Sequence, residues 1–134
     1  MYALDTNTVV YFFKGMGGVG TRLLAIPPTE IMVSTVVAFE LAVGVAKSTQ
    51  AGRRREQLAS FLATITVAPF GREEAELSAG LRADLEQRGL PIGPLDVLIA
   101  GAALARGAIL VTRNTREFSR IPGLRVENWY NEEK

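Results

Sequence analysis

The 134-residue chain contains no cysteine and no histidine. The first absence removes disulfides, thiolate nucleophiles and zinc–thiolate sites, and it fits a reducing compartment. The second removes imidazole as acid, base or metal ligand. Any hydrolytic chemistry must therefore rest on carboxylates, hydroxyls, amines or a hard metal ion. Long apolar runs are missing too. The longest, residues 33–46, is broken by Glu40 and is too short to span a bilayer. Asp5 interrupts the N-terminus before a signal-peptide core can form. A cytoplasmic protein with no membrane segment is the expectation.

What is present describes one globular domain over residues 1–134. Nearly half the residues are apolar, enough for a proper core, and no repeat, linker or low-complexity tract divides the chain. The net charge of +1 announces no polyanionic partner by itself. Its distribution is more informative. Residues 100–126 hold five arginines (Arg106, Arg113, Arg116, Arg120, Arg125) against the single acid Glu117, and Arg53, Arg54 and Arg55 are consecutive. Clustered arginines suit phosphate binding, although the triplet equally suits a solvated helix face.

Strands and helices alternate along the chain. Short apolar strands are expected at residues 2–5, 31–33, 65–67, 108–111 and 124–126. Helices are expected at 7–14, 21–26, 36–47, 52–62, 73–88 and from Asp96 to near Gly107. The helix at 36–47 is apolar nearly all round and should be buried. Gly101 should let its own helix pack closely. Residues after Tyr130 should fray. Gly15, Gly17 and Gly20 formally match a dinucleotide fingerprint, but a helix separates them from the strand. They read as a flexible connection. The alternation implies an α/β fold with a parallel sheet and helices on both faces.

In a right-handed wrap of this kind, four acids return to the C-terminal edge of the sheet. Asp5 ends the first strand, and Glu40 follows the second by about a turn of helix. Asp96 opens a helix, and Glu117 comes shortly after the fourth strand. Each has a bland alternative, a structural ion pair for Glu40 or the positive helix end for Asp96. Together they repel and raise one another's pKa values. With oxygen ligands alone, the natural occupant of such a place is Mg²⁺ or Mn²⁺. An ion of this kind serves phosphodiester hydrolysis.

The segments Leu4-Asp5-Thr6-Asn7, Ala38-Phe39-Glu40-Leu41-Ala42-Val43-Gly44, residues 94–101 around Asp96 and residues 111–118 resemble the PIN-domain ribonucleases. The resemblance is nearest to the VapC toxins of bacterial toxin–antitoxin modules, whose ending is similar to residues 120–129 here. It implies a PIN-like fold with a five-stranded parallel sheet and Asp5 beside the segment from Thr112 to Asn114 at its centre. It also implies a Mg²⁺- or Mn²⁺-dependent endoribonuclease toxin acting on RNA, commonly a tRNA. By the same resemblance, Asp5 and Asp96 are the main metal ligands, with Glu40 completing the acidic ring. Thr6 and Thr112 orient carboxylates or water, and Asn7 matches the motif or pins the turn. Many such domains carry aspartate where Asn114 stands, so the fourth charge falls to Glu117 or is missing. The implied partners are a VapB-type antitoxin, contacting the region of Tyr11, Phe12 and Phe13 and residues 15–24, and a second copy in a homodimer.

A PIN fold that grips RNA or a partner without cutting is the alternative. Receiver-type phosphoryl transfer would need a late lysine, and none lies between Lys47 and Lys134. The dehalogenase type would need an acid where Asn7 stands.

Overall fold

A computed structural model describes residues 1–131. The expected fraying beyond Tyr130 falls largely on residues 132–134, outside the described part. Five strands form one parallel sheet: β1 (Tyr2–Leu4), β2 (Ile31–Ser34), β3 (Thr66–Ala68), β4 (Ile109–Val111) and β5 (Val126–Glu127). Their order is β3-β2-β1-β4-β5. Strand β1 pairs with β2 through Tyr2 and Ile31, and with β4 through Ala3 and Leu110. The first strand of the sequence is thus the middle strand of the sheet.

Side chains alternate across a strand, yet all four residues of β2 are buried. Both sheet faces are therefore covered, as a parallel sheet requires. The cover comes from α1 (Thr6–Lys14), α2 (Val19–Leu24), α3 (Thr35–Ala46), α4 (Ala51–Leu62), α5 (Arg72–Gln87), α6 (Pro94–Ala105) and the single turn α7 (Thr115–Phe118). Local chemistry sets the helix ends. The Ser34 hydroxyl accepts the Val37 N–H and caps α3, and Pro94 occupies the first turn of α6. Among the described residues no helix is long and apolar enough to cross a membrane.

Three expectations are corrected. The glycine run is a fixed turn and not a flexible connection, because α2 starts inside it and Val19 is buried. Gly17 has φ +66°, and a Cβ there would sit 2.7 Å from the Tyr130 carbonyl oxygen. Only glycine meets both demands. The last strand is Val126–Glu127, since Gly123 (φ +81°) turns the chain and the Leu124 N–H is spent on Ile121 O. Finally, α3 is not buried all round. Val37 and Leu41, four residues apart, face inward, while Phe39 is 58% exposed.

Helices α5 and α6 pack closely through a small-residue contact. A Cβ on Gly101 would lie 1.9 Å from Ser78 Oγ, and that buried hydroxyl has no hydrogen-bond partner among the described residues. Gly101→Ala should therefore cost about 1–3 kcal/mol of stability through overpacking. Ser78→Ala should be neutral or stabilising, because it removes an unsatisfied polar atom. Thermal unfolding of the two variants and their double mutant checks this. A Gly101→Ala variant as stable as wild type would contradict the packing.

Candidate active site

Because every strand runs the same way, the chain leaves the sheet at one edge after each of them, and the site is built there. The Asp5 N–H donates to Val111 O (3.1 Å), which extends the β1–β4 ladder by one residue. Asp5 then caps α1, its Oδ1 accepting the Thr8 N–H at 2.8 Å. Asp5 as a whole is only 7% exposed. Burial raises its pKa above the ordinary value, hydrogen bonds from Thr112 and Thr8 oppose that rise, and Glu40 adds to it. Thr112, itself buried, also accepts the Asn114 N–H at 3.0 Å. Its hydroxyl thereby joins the end of β4 to the carboxylate at the end of β1.

The other three acids approach from separate helices. Glu40 on α3 accepts a hydrogen bond from the Thr6 hydroxyl. Glu117 on α7 accepts one from the Asn114 side-chain amide. Asp96 stands in the first turn of α6, where the helix dipole favours its charge. Even so, its pKa is pushed up to about 6, first by burial and then by Asp5, Glu40 and Glu117. Burial, with repulsion from three carboxylates added to it, outweighs the helix end.

Among the described residues no arginine or lysine forms an ion pair with any of the four; the ion pairs of α5 and the Arg22–Glu127 contact lie elsewhere. A structural ion pair for Glu40 is thereby excluded among these residues. No three of the acids stand close enough to cage an ion by themselves among the described residues. Mg²⁺ keeps several waters and is usually held by one or two carboxylates, so such an ion would call on no more than a pair of these acids directly. An oxygen-only donor set around unneutralised charge fits such an ion.

Asn7 is exposed and lines a cavity of about 310 Å³ with Asp5, Tyr11, Arg113 and Asn114. All eight residues singled out in the sequence therefore lie at this edge. Sequence reasoning missed Thr8, although an acid three residues before it is an N-cap signal. It also missed Tyr11 and Tyr130, which flank Arg113; no local spacing links them.

The PIN domain family model matches residues 2–124. Ribonuclease VapC2 of Rickettsia felis is 40% identical over 131 residues, covering 96% of this chain and 98% of that protein. The tRNA(fMet)-specific endonuclease VapC of Salmonella typhimurium is 34% identical over 128 residues, covering 96% and 97%. The crystal structure of VapBC2 from Rickettsia felis bound to a promoter DNA fragment superposes with a TM-score of 0.89. It is 38% identical and covers 96% of this chain and 98% of that one.

The raised pKa of Asp96 has a sign that can be measured. The folded state binds this proton more tightly than the unfolded state does. The resulting stability is complete below the ordinary value of 3.8 and is lost as pH rises through about 6. Asp96→Asn should therefore melt at a higher temperature than wild type at about pH 7, with the gap shrinking toward about pH 4. A gap that is absent or reversed at neutral pH would show that Asp96 is not under repulsion.

Proposed function

The chain belongs to the PIN-domain family, in its VapC group, and on that premise we propose that it is the endoribonuclease toxin of a toxin–antitoxin pair. We take residues 1–134 as one such domain. The observation that carries the reading is that Asp96 lies within electrostatic reach of Asp5, Glu40 and Glu117, with no cationic side chain paired to them among the described residues. Mg²⁺ or Mn²⁺ is the proposed cofactor, with Asp5 and Asp96 as its main ligands, Glu40 completing the set through water and Glu117 as the fourth acidic group. When bound, the ion supplies an activated water and neutralises charge on the phosphoryl oxygens.

The chain's own residues hold that arrangement. Thr112 and the Thr8 N–H fix the Asp5 carboxylate, and the Thr6 hydroxyl orients Glu40. The Asn114 amide does the same for Glu117. Asn7 shares a cavity with Asp5, which supports a role for it in substrate contact. An RNA phosphodiester is the proposed substrate, and a tRNA the proposed RNA, supported by the specificity that the Salmonella relative's name carries. Such a substrate supports a cytoplasmic location.

A VapB-type antitoxin is the proposed partner, since the solved relatives include VapBC assemblies. Of the residues expected to contact it, Phe13 borders a groove of about 370 Å³. Val10, Phe13, Leu41 and Leu58 line it, and Thr6 and Glu40 also border it. A homodimer is the other proposed assembly.

Asp5→Asn and Asp96→Asn should each lower RNA cleavage by at least about 100-fold while the fold persists, since each removes a charge on the ion. Cleavage of a tRNA mixture followed on gels, with circular dichroism as the folding control, checks this. Either variant cutting at the wild-type rate would remove that residue from the site. A wild-type protein that binds tRNA with Mg²⁺ but never cuts it would favour the non-catalytic binding module.

A further inference from the structure

The arginines gathered in the last third of the chain do different jobs. The Arg125 guanidinium donates to Gly107 O at 2.9 Å, and that of Arg120 donates to Pro91 O at 3.2 Å. Both tie loops together. Arg113 makes no such bond among the described residues. Its guanidinium carbon lies 3.7 Å from the centre of the Tyr130 ring and 5.8 Å from that of Tyr11. The two tyrosines meet edge-on at 4.8 Å. A guanidinium on an aromatic face keeps its N–H edge for another partner.

Tyr130 is firmly placed. The Gly18 N–H donates to its carbonyl oxygen at 3.0 Å, its own N–H donates to Asn128 Oδ1 at 2.9 Å, and Gly17 is pressed beneath its ring. The tail and the glycine turn together therefore fix where Arg113 stands. It stands on the wall of the cavity of about 310 Å³ that also contains Asp5, Asn7 and Asn114. The lining of that cavity thus includes a carboxylate and a guanidinium that makes no hydrogen bond or ion pair among the described residues. An anion that bridges a carboxylate-held cation and a guanidinium fork matches it, and a phosphodiester is such an anion.

Resting on the nuclease reading above, we infer that Arg113 binds a backbone phosphate of the RNA next to the acidic site, and that Tyr130 is the residue that positions it. Arg113 supplies a charge-assisted contact to a non-bridging phosphate oxygen, and Tyr130 keeps the guanidinium from folding onto Asp5.

The test uses the full chain, a fluorescently labelled tRNA anticodon stem-loop, and Asp96→Asn as background so that binding is read without cleavage. Arg113→Ala should weaken binding by about tenfold and lower the slope of log K against log salt by about 0.7–1, the signature of one lost phosphate contact. Arg113→Lys should keep the salt slope and recover part of the affinity, because charge survives while the flat fork does not. Tyr130→Leu should weaken binding, and Tyr130→Phe should restore it. With Asp96 intact, the Arg113→Ala defect should appear mainly in KM. If Arg113→Ala binds with wild-type affinity and salt slope while the wild-type protein cuts RNA, this inference fails and the nuclease reading stands. If affinity falls but the salt slope does not, Arg113 stacks on a base and the phosphate assignment is wrong. If the wild-type protein neither binds nor cuts RNA, both fail.

Discussion

Burial of carboxylates beside one another governs the functional edge of this molecule. Asp5 is almost wholly buried, and Asp96 is raised to about 6 by burial together with Asp5, Glu40 and Glu117. Charges brought together in this way oppose folding and persist only where something compensates them. Among the described residues the compensation from the protein is partial. It consists of hydroxyl and amide donors from Thr6, Thr8, Thr112 and Asn114, with no paired arginine or lysine. A hard divalent ion would complete it, so the feature that strains the protein is the one that gives it a use.

The fold keeps the carboxylates where they are. An all-parallel sheet delivers every strand end to one edge, and β1 in the middle puts Asp5 between the ends of β2 and β4. Helices α3 and α6 then carry Glu40 and Asp96 toward the same point. Close packing of Gly101 against Ser78 fixes α6 on α5, and the Thr112 hydroxyl ties the β4 end to Asp5. On the far side of the cavity, the tail pins Tyr130 and, through it, Arg113. Each device limits movement that repulsion would otherwise drive.

Much of this was legible in the sequence because its signals are local. Asp5 directly after an apolar strand, Ser34 before α3 and Asp96 after Pro94 are short-range patterns, and alternation of strands and helices fixed the order of layers. What stayed hidden depends on distant residues. Nothing near residue 17 says that Tyr130 will sit on it, so the glycine turn read as flexible. The apolar composition of α3 concealed which of its faces would meet the sheet, and Phe39 proved exposed. Arg113 looked like any member of an arginine cluster until the Tyr11–Tyr130 pair separated it from Arg120 and Arg125. Periodicity reports burial of a face, not the partner across it.

The central claim is that the acidic notch exists to hold a hard divalent cation. Calorimetric titration of the wild-type protein with Mg²⁺ in two buffers of different ionisation enthalpy measures this most directly. The account predicts saturable binding, with proton release that is larger near pH 6, where Asp96 is partly protonated, than at alkaline pH. Absence of Mg²⁺ and Mn²⁺ binding at millimolar concentration, or binding unaffected by Asp96→Asn, would contradict it.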